Sequence, residues 1–267
     1  MLDAFSRTEL LLGAEAMKIL AASKVAVFGI GGVGAYAVEG LARSGVGSFV
    51  LVDDDCVCLT NINRQIIALR STIGKPKVEV MKARILDINP QAQVEVFQEY
   101  CDVQNIPCLL GQDVPGQGAP GIPGISYVVD AIDTVSSKIE LIMHATKIGI
   151  PIISCLGAGN KLDPTRLEIA DIYDTSVCPL ARVMRCELRK RGLAALDVVY
   201  SREAPLKTGE LRATCPTDCV CPKKDGAGTG GIRGAGRRSI PGSVSFVPSV
   251  AGLIIASKVV RKLIGLN

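Results

Sequence analysis

The sequence has 267 residues, 48% of them hydrophobic and 21% charged, with a formal net charge of +4. That apolar share excludes global disorder, and the length suits one large α/β domain or two small ones. The C-terminal run PSVAGLIIASKVVRKLIGLN is interrupted by Lys258, Arg261 and Lys262 before it reaches the roughly 20 residues of a membrane span. The N-terminus carries acids early and no basic-then-apolar leader, so a cytoplasmic globular protein is expected. In chain order, KVAVFG (24–29) reads as a strand ending in glycines, and VGAYAVEGLARSG (33–45) has helical spacing. SFVLVD (48–53) reads as a strand, KPKVEVMKARILDINP (75–90) as a helix stopped by Pro90, and VEVF (94–97) as a strand. SYVVDA (126–131) and PIIS (151–154) are further strands, with the helix VSSKIELIMHATKIG between them.

Beyond residue 160 the alternation loosens. LEIADI (167–172) reads as a strand, PLARVMRCELRKRG (179–192) as a basic helix, and VSFV (244–247) as a strand before a C-terminal helix. Strands alternating with helices predict an α/β fold: a Rossmann-like, doubly wound, mainly parallel sheet, here with a C-terminal extension. The expected organisation is one part over 1–160, holding the strand–helix alternation, and a C-terminal part of the same domain over 161–267. Two loops are expected, at 111–124 and at 222–242; the second holds seven glycines and five Lys/Arg.

Charge is unevenly spread. Residues 1–150 hold 12 Lys/Arg against 16 Asp/Glu, and residues 151–267 hold 18 against 10, a balance of −4 and then +8. A basic second half suits a polyanionic partner, although basic helix faces are also simply solvated.

GIGGVG sets Gly29, Gly31 and Gly34 in a G-x-G-x-x-G pattern between a predicted strand and a predicted helix. Glycine is needed where a phosphate must approach bare backbone N–H groups at a helix N-terminus. Asp53 follows Gly34 by 19 residues, at the end of the next strand, where a carboxylate can accept ribose hydroxyls. A nicotinamide dehydrogenase would fit that fingerprint, but three further features argue against one. TNINRQ (60–65), Lys77 at a predicted helix start, and Asp130 and Asp133 in DAID all emerge near carboxyl ends of strands. Arginine, lysine and a magnesium-binding carboxylate suit a triphosphate and are not needed for hydride transfer. The single histidine, His144, sits mid-helix and reads as structural.

GIGGVG, Asp53, NINRQ, Lys77 and DAIDT, in that order, resemble the ubiquitin-activating (ThiF, MoeB and HesA-like) adenylating enzymes. The resemblance implies that ATP activates a carboxylate as an acyl-adenylate. It assigns Gly29, Gly31, Gly32, Gly34, Asp53 and Asp55 to the nucleotide, and Asn61, Asn63, Arg64 and Lys77 to the phosphates. Asp133 would hold Mg2+, and Arg7 would reach the ATP of a second subunit, implying a homodimer. Further stretches, among them GAGNKLDPTRLEIADI, PLARVMRCELRKRG, VVYSREAP and PGSVSFVPSVAGLIIASKVV, resemble the tRNA threonylcarbamoyladenosine dehydratases within that family. The implied activity is ATP-dependent cyclisation of the threonylcarbamoyl group on tRNA, with the basic helix and the Lys223–Arg238 stretch as candidate tRNA contacts. A cysteine desulfurase or sulfur acceptor is a further candidate partner.

The alternative is adenylation of the C-terminus of a ubiquitin-like sulfur carrier. Such activators commonly carry two zinc-binding C-x-x-C pairs, and this chain has none. Cys215, Cys219 and Cys221 with Cys178 are a candidate zinc set, weighed against ordinary loop thiols. Some dehydratase relatives carry a cysteine where this chain has Val198, so no thioester role transfers to that position. Cys56, Cys58 and Cys155 read as packing residues, and adenylation followed by cyclisation requires no cysteine.

Overall fold

The computed structural model describes residues 3–112, 124–207 and 241–266. Helices α1 (Ser6–Leu12) and α2 (Ala14–Ala22) lead into strand β1 (Lys24–Phe28), helix α3 (Gly34–Arg43) and strand β2 (Ser48–Val52). Helix α4 (Lys77–Ile88), strand β3 (Gln93–Phe97) and the short helix α5 (Ile106–Leu109) follow. Then come β4 (Tyr127–Asp130), α6 (Val135–Lys147), β5 (Ile152–Leu156), β6 (Leu167–Asp171), α7 (Pro179–Lys190), β7 (Asp197–Ser201) and α8 (Phe246–Leu263).

The seven strands among the described residues join one sheet in the order β3-β2-β1-β4-β5-β7-β6, parallel except for the β6–β7 pair. The right-hand strands therefore continue the sheet that the glycine-rich half begins. Successive side chains along each strand point to opposite faces of the sheet. From β1, Val25 and Val27 enter a core shared with α3, α4 and α8, while Ala26 and Phe28 enter one shared with α5, α6 and α7. Both faces are covered, so the strands read as near-continuous apolar runs, as buried parallel strands do. Each fully buried Val, Leu or Phe of this kind contributes roughly 1.5–3 kcal/mol.

Several elements differ from the sequence reading, which named no helix over 6–22 or at 106–109, where α1, α2 and α5 form. VSFV is not a strand: the backbone turns helical at Phe246, Val247 is buried in the core shared with α3, and Pro248 sits in the first turn of α8. There its missing N–H costs no hydrogen bond. DVVYS (197–201), not read as an element, is strand β7. It fills the slot between β5 and the returning edge strand β6, with Val198, Val199 and Tyr200 buried. The strand order reverses between β1 and β4, and the crevice outside those carboxyl ends is where ligands bind in such sheets.

Candidate nucleotide-binding active site

A cavity of about 450 Å³ opens at that crevice, within the range of small-molecule sites. Of the residues singled out from the sequence, Gly29, Gly31, Gly32, Asp53, Asp55, Asn61, Arg64, Lys77 and Asp133 line it. The turn after β1 is shaped by two glycines. Gly29 has φ +87°, and a Cβ there would lie 2.6 Å from the Ala131 carbonyl oxygen. A Cβ on Gly34 would lie 1.8 Å from the Gly29 oxygen, so any side chain would push α3 off the turn. Gly34 thus closes the strand–helix junction from behind and does not line the cavity.

Asp53 continues β2 beneath this turn. Its carboxylate accepts the Ile30 N–H at 2.6 Å and the Asp55 N–H at 2.9 Å, tying the glycine turn to the β2 end. Lys77, at the start of α4, is buried and places its ammonium 2.7 Å from Asp55 and 3.5 Å from Asp53. Burial pushes the Asp53 carboxyl up, more than the neighbouring Lys77 pulls it down. Burial also opposes the charge on Lys77, but the carboxylates of Asp53 and Asp55 outweigh it, so the ammonium is held above its ordinary range.

The TNINRQ segment forms a single-turn 3-10 helix (Leu59–Asn61) and the turn that follows it. Asn61 is committed to the backbone, accepting the Cys58 N–H at 3.0 Å. Arg64 donates to the Thr60 carbonyl and to the Asn63 side chain, at 3.0 and 2.9 Å, which props its guanidinium at the cavity wall. Asn63 lies outside that lining; its amide donates to the Ser243 carbonyl at 2.9 Å. Asn63 is therefore a bracket between Arg64 and the segment before α8.

At the β4 end, Asp130 and Lys138 form a fully buried ion pair of 2.8 Å. Asp130 also accepts the Ile132 N–H at 3.1 Å and the Ser154 hydroxyl at 2.5 Å, while Lys138 donates to the Ile132 carbonyl at 3.0 Å. This network fixes the turn that presents Asp133, which is exposed and accepts a long 3.4 Å contact from the Thr134 hydroxyl. Its carboxylate is a hard oxygen donor of the kind magnesium takes.

Several cavity residues carried no role in the sequence reading. Gln65 is buried, and among the described residues its Oε1 accepts no hydrogen bond, a state that fits a ligand able to donate. It sits inside TNINRQ, so the motif itself was the available signal. Tyr100 and Ser137, bonded hydroxyl to hydroxyl at 3.2 Å, line the cavity beyond β3, as do Ala158, Gly159 and Pro241–Ser243 further round. None of these has a spacing signal.

The remaining candidates lie elsewhere. Arg7 is exposed on α1, outside the cavity of its own chain. His144 is in α6, 2.9 Å from the Gln112 side chain and away from the cluster. Cys178 is buried at the start of α7, where its sulfur accepts the Ala181 N–H. Cys215, Cys219 and Cys221 lie outside the described residues, as do Lys223–Arg238 and most of the 111–124 loop. Among the described residues, Cys178 belongs to no group of three metal-ligating side chains. Val198 is buried in β7.

The chain is similar to known proteins along most of its length. The ThiF family model matches residues 5–267. The tRNA threonylcarbamoyladenosine dehydratase of Bacillus subtilis is 44% identical over 266 residues, covering 99% of this chain and 96% of that protein. The enzyme of the same name from Escherichia coli is 38% identical, covering 75% of this chain and 74% of the relative. The crystal structure of E. coli tRNA N6-threonylcarbamoyladenosine dehydratase, TcdA, in complex with ATP superposes with a TM-score of 0.78 at 32% identity, over 98% of this chain and 93% of that one.

Proposed function

We propose that this chain, which belongs to the ThiF family over residues 5–267, is an ATP-dependent tRNA threonylcarbamoyladenosine dehydratase. The observation that carries the reading is the convergence of Arg64, Lys77, Asp133 and the glycine turn on one cavity. It occurs in a chain that matches dehydratases along almost its whole length.

The chemistry follows from what a carboxylate lacks. It is a poor electrophile, and oxide is a poor leaving group. In the proposed first step a carboxylate oxygen of the threonylcarbamoyl group attacks the α-phosphorus of ATP, and pyrophosphate departs. Backbone N–H groups of the glycine turn and the cations Arg64 and Lys77 spread the charge that builds on the phosphates. In the second step the carbamoyl group of the same substrate attacks the acyl carbon. AMP leaves with one former carboxylate oxygen, and the attacking group gives up a proton. Nucleophile and electrophile share one side chain, so high effective molarity replaces an external nucleophile, and no cysteine takes part.

Asp133 would hold Mg2+, which would supply charge neutralisation to the phosphates. Arg7, exposed on α1, would serve the site of a second subunit in a homodimer; the exposed Leu10 and Leu11 beside it support a covered α1. The exposed Arg182, Arg189 and Lys190 of α7 would meet tRNA phosphates, in a half of the chain with a charge balance of +8. No described helix is long and apolar enough to cross a membrane, and the proposed site of action is the cytoplasm. Stoichiometry tests the reading: AMP and pyrophosphate should form in step with each nucleoside dehydrated. AMP formation that needs a diglycine-ended carrier protein instead of tRNA would replace the reading with carrier activation.

A further inference from the structure

Three stretches of the dehydratase-like pattern, GAGNKLDP (157–164), YSREAP (200–205) and PGSVSF (241–246), meet at one place in the fold. The Glu203 carboxylate accepts the N–H groups of Leu162 and Asp163, at 3.1 and 2.9 Å. The buried ammonium of Lys161 donates to the Glu203 carbonyl. This brace holds Asn160 in the left-handed region at φ 59°, where asparagine is among the few side chains tolerated. Asn160 then clasps Gly242 from both sides. Its own N–H donates to the Gly242 carbonyl at 2.8 Å, and its Oδ1 accepts the Gly242 N–H at 2.6 Å. The Asn160 carbonyl accepts the Leu206 N–H at 2.9 Å, closing the unit.

The clasp has a defined place in the cavity. Ala158, Gly159, Pro241, Gly242 and Ser243 make one wall, contributed from the β5 end. Asp53 sits at the β2 end, and strand order puts three spacings, roughly 14 Å, between β2 and β5. A nucleotide lying from Asp53 past the glycine turn to Asp133 occupies the β2, β1 and β4 ends. The group that attacks its α-phosphorus then approaches from β5. The wall is also wired to the phosphate side, since Ser243 accepts the amide of Asn63 and Asn63 accepts Arg64.

We propose that Asn160 is a positioning residue: by fixing Pro241–Ser243 it builds the acyl-side wall that seats the threonylcarbamoyl nucleoside against the α-phosphate. This inference rests on the dehydratase reading above.

The test compares the full-length wild type with Asn160→Gly and Asn160→Asp. Glycine suits the left-handed backbone but lacks the Oδ1 acceptor, whereas aspartate keeps it. ATP affinity is measured by calorimetry, thermal midpoint by melting, and kcat and KM for threonylcarbamoyladenosine-bearing tRNA by mass spectrometry of the nucleosides. Asn160→Gly should lower kcat/KM for the tRNA about tenfold while ATP affinity stays within about twofold and the midpoint is kept. Asn160→Asp should recover activity to within about threefold of wild type. Wild-type turnover by Asn160→Gly overturns the inference, as does a loss of ATP affinity matching the loss of turnover. A wild type that binds ATP but never dehydrates the tRNA overturns the dehydratase reading and this inference with it.

Discussion

The ammonium of Lys138 lies 2.8 Å from the carboxylate of Asp130, and neither side chain is reached by solvent. The pair does not touch the cavity. It holds both backbone groups of Ile132, and so sets the turn on which Asp133 stands. Lys138→Met removes one partner and leaves a buried carboxylate uncompensated, a change that costs about 3–5 kcal/mol. Urea unfolding should show that loss, and Lys138→Met with Asp130→Asn should recover part of it, because the stranded charge is then gone. A single variant within about 1 kcal/mol of wild type would contradict the role given to the pair.

Lys77 makes an alkaline prediction. Its folded pKa is raised above 10.5 because the Asp53 and Asp55 carboxylates outweigh burial. The stability it contributes is therefore fully present below that value and lost as pH rises through the folded pKa. The stability difference between wild type and Lys77→Met should be flat from neutral pH to the value for a free lysine, then shrink. A difference that grows with alkalinity would contradict the assignment.

The glycine turn makes a steric prediction. A Cβ at position 34 would overlap the Gly29 carbonyl oxygen. Gly34→Ala should therefore weaken ATP binding at least tenfold or prevent folding outright, whereas alanine at Gly192, with open space around it, should cost only its left-handed strain, on the order of 1 kcal/mol. ATP titration of both variants decides it, and an unimpaired Gly34→Ala would contradict the packing described.

From Lys24 to Leu156 the architecture apart from α5 was legible, because β1, β2, β4 and β5 are short apolar runs that end at glycine or aspartate, and α3, α4 and α6 show 3.6-residue spacing. Part of the cavity lining was legible, since Gly29, Asp53 and Asp133 stand just past strand ends, Lys77 starts α4, and Arg64 belongs to the NINRQ motif. What escaped is what tertiary partners decide. VSFV alternates like a strand, but it continues into α8, and Val247 is buried in the core that α8 shares with α3. DVVYS becomes a strand because β5 and β6 leave a slot for it. Lys138 looks like any lysine on a helix until Asp130 is placed beside it, and no spacing rule joins Asn160 to Gly242, 82 residues away.

Cysteine reactivity makes a fourth prediction. Burial pushes the thiols of Cys101 and Cys155 up to about 12, so neither should be alkylated by iodoacetamide at pH 8 in the native protein. Cys186, exposed on α7, should label readily. Peptide mass mapping after a short exposure separates the two classes, and early labelling of Cys155 would show that the β5 core opens more freely than its packing implies.

The most direct test of the central claim uses purified protein, ATP, magnesium and tRNA bearing threonylcarbamoyladenosine, with the nucleosides then analysed by mass spectrometry under conditions that spare a labile ring. The account predicts a product lighter by one water with wild type, and none with Arg64→Ala or Asp133→Ala. An unchanged nucleoside mass from a protein that binds ATP would contradict it.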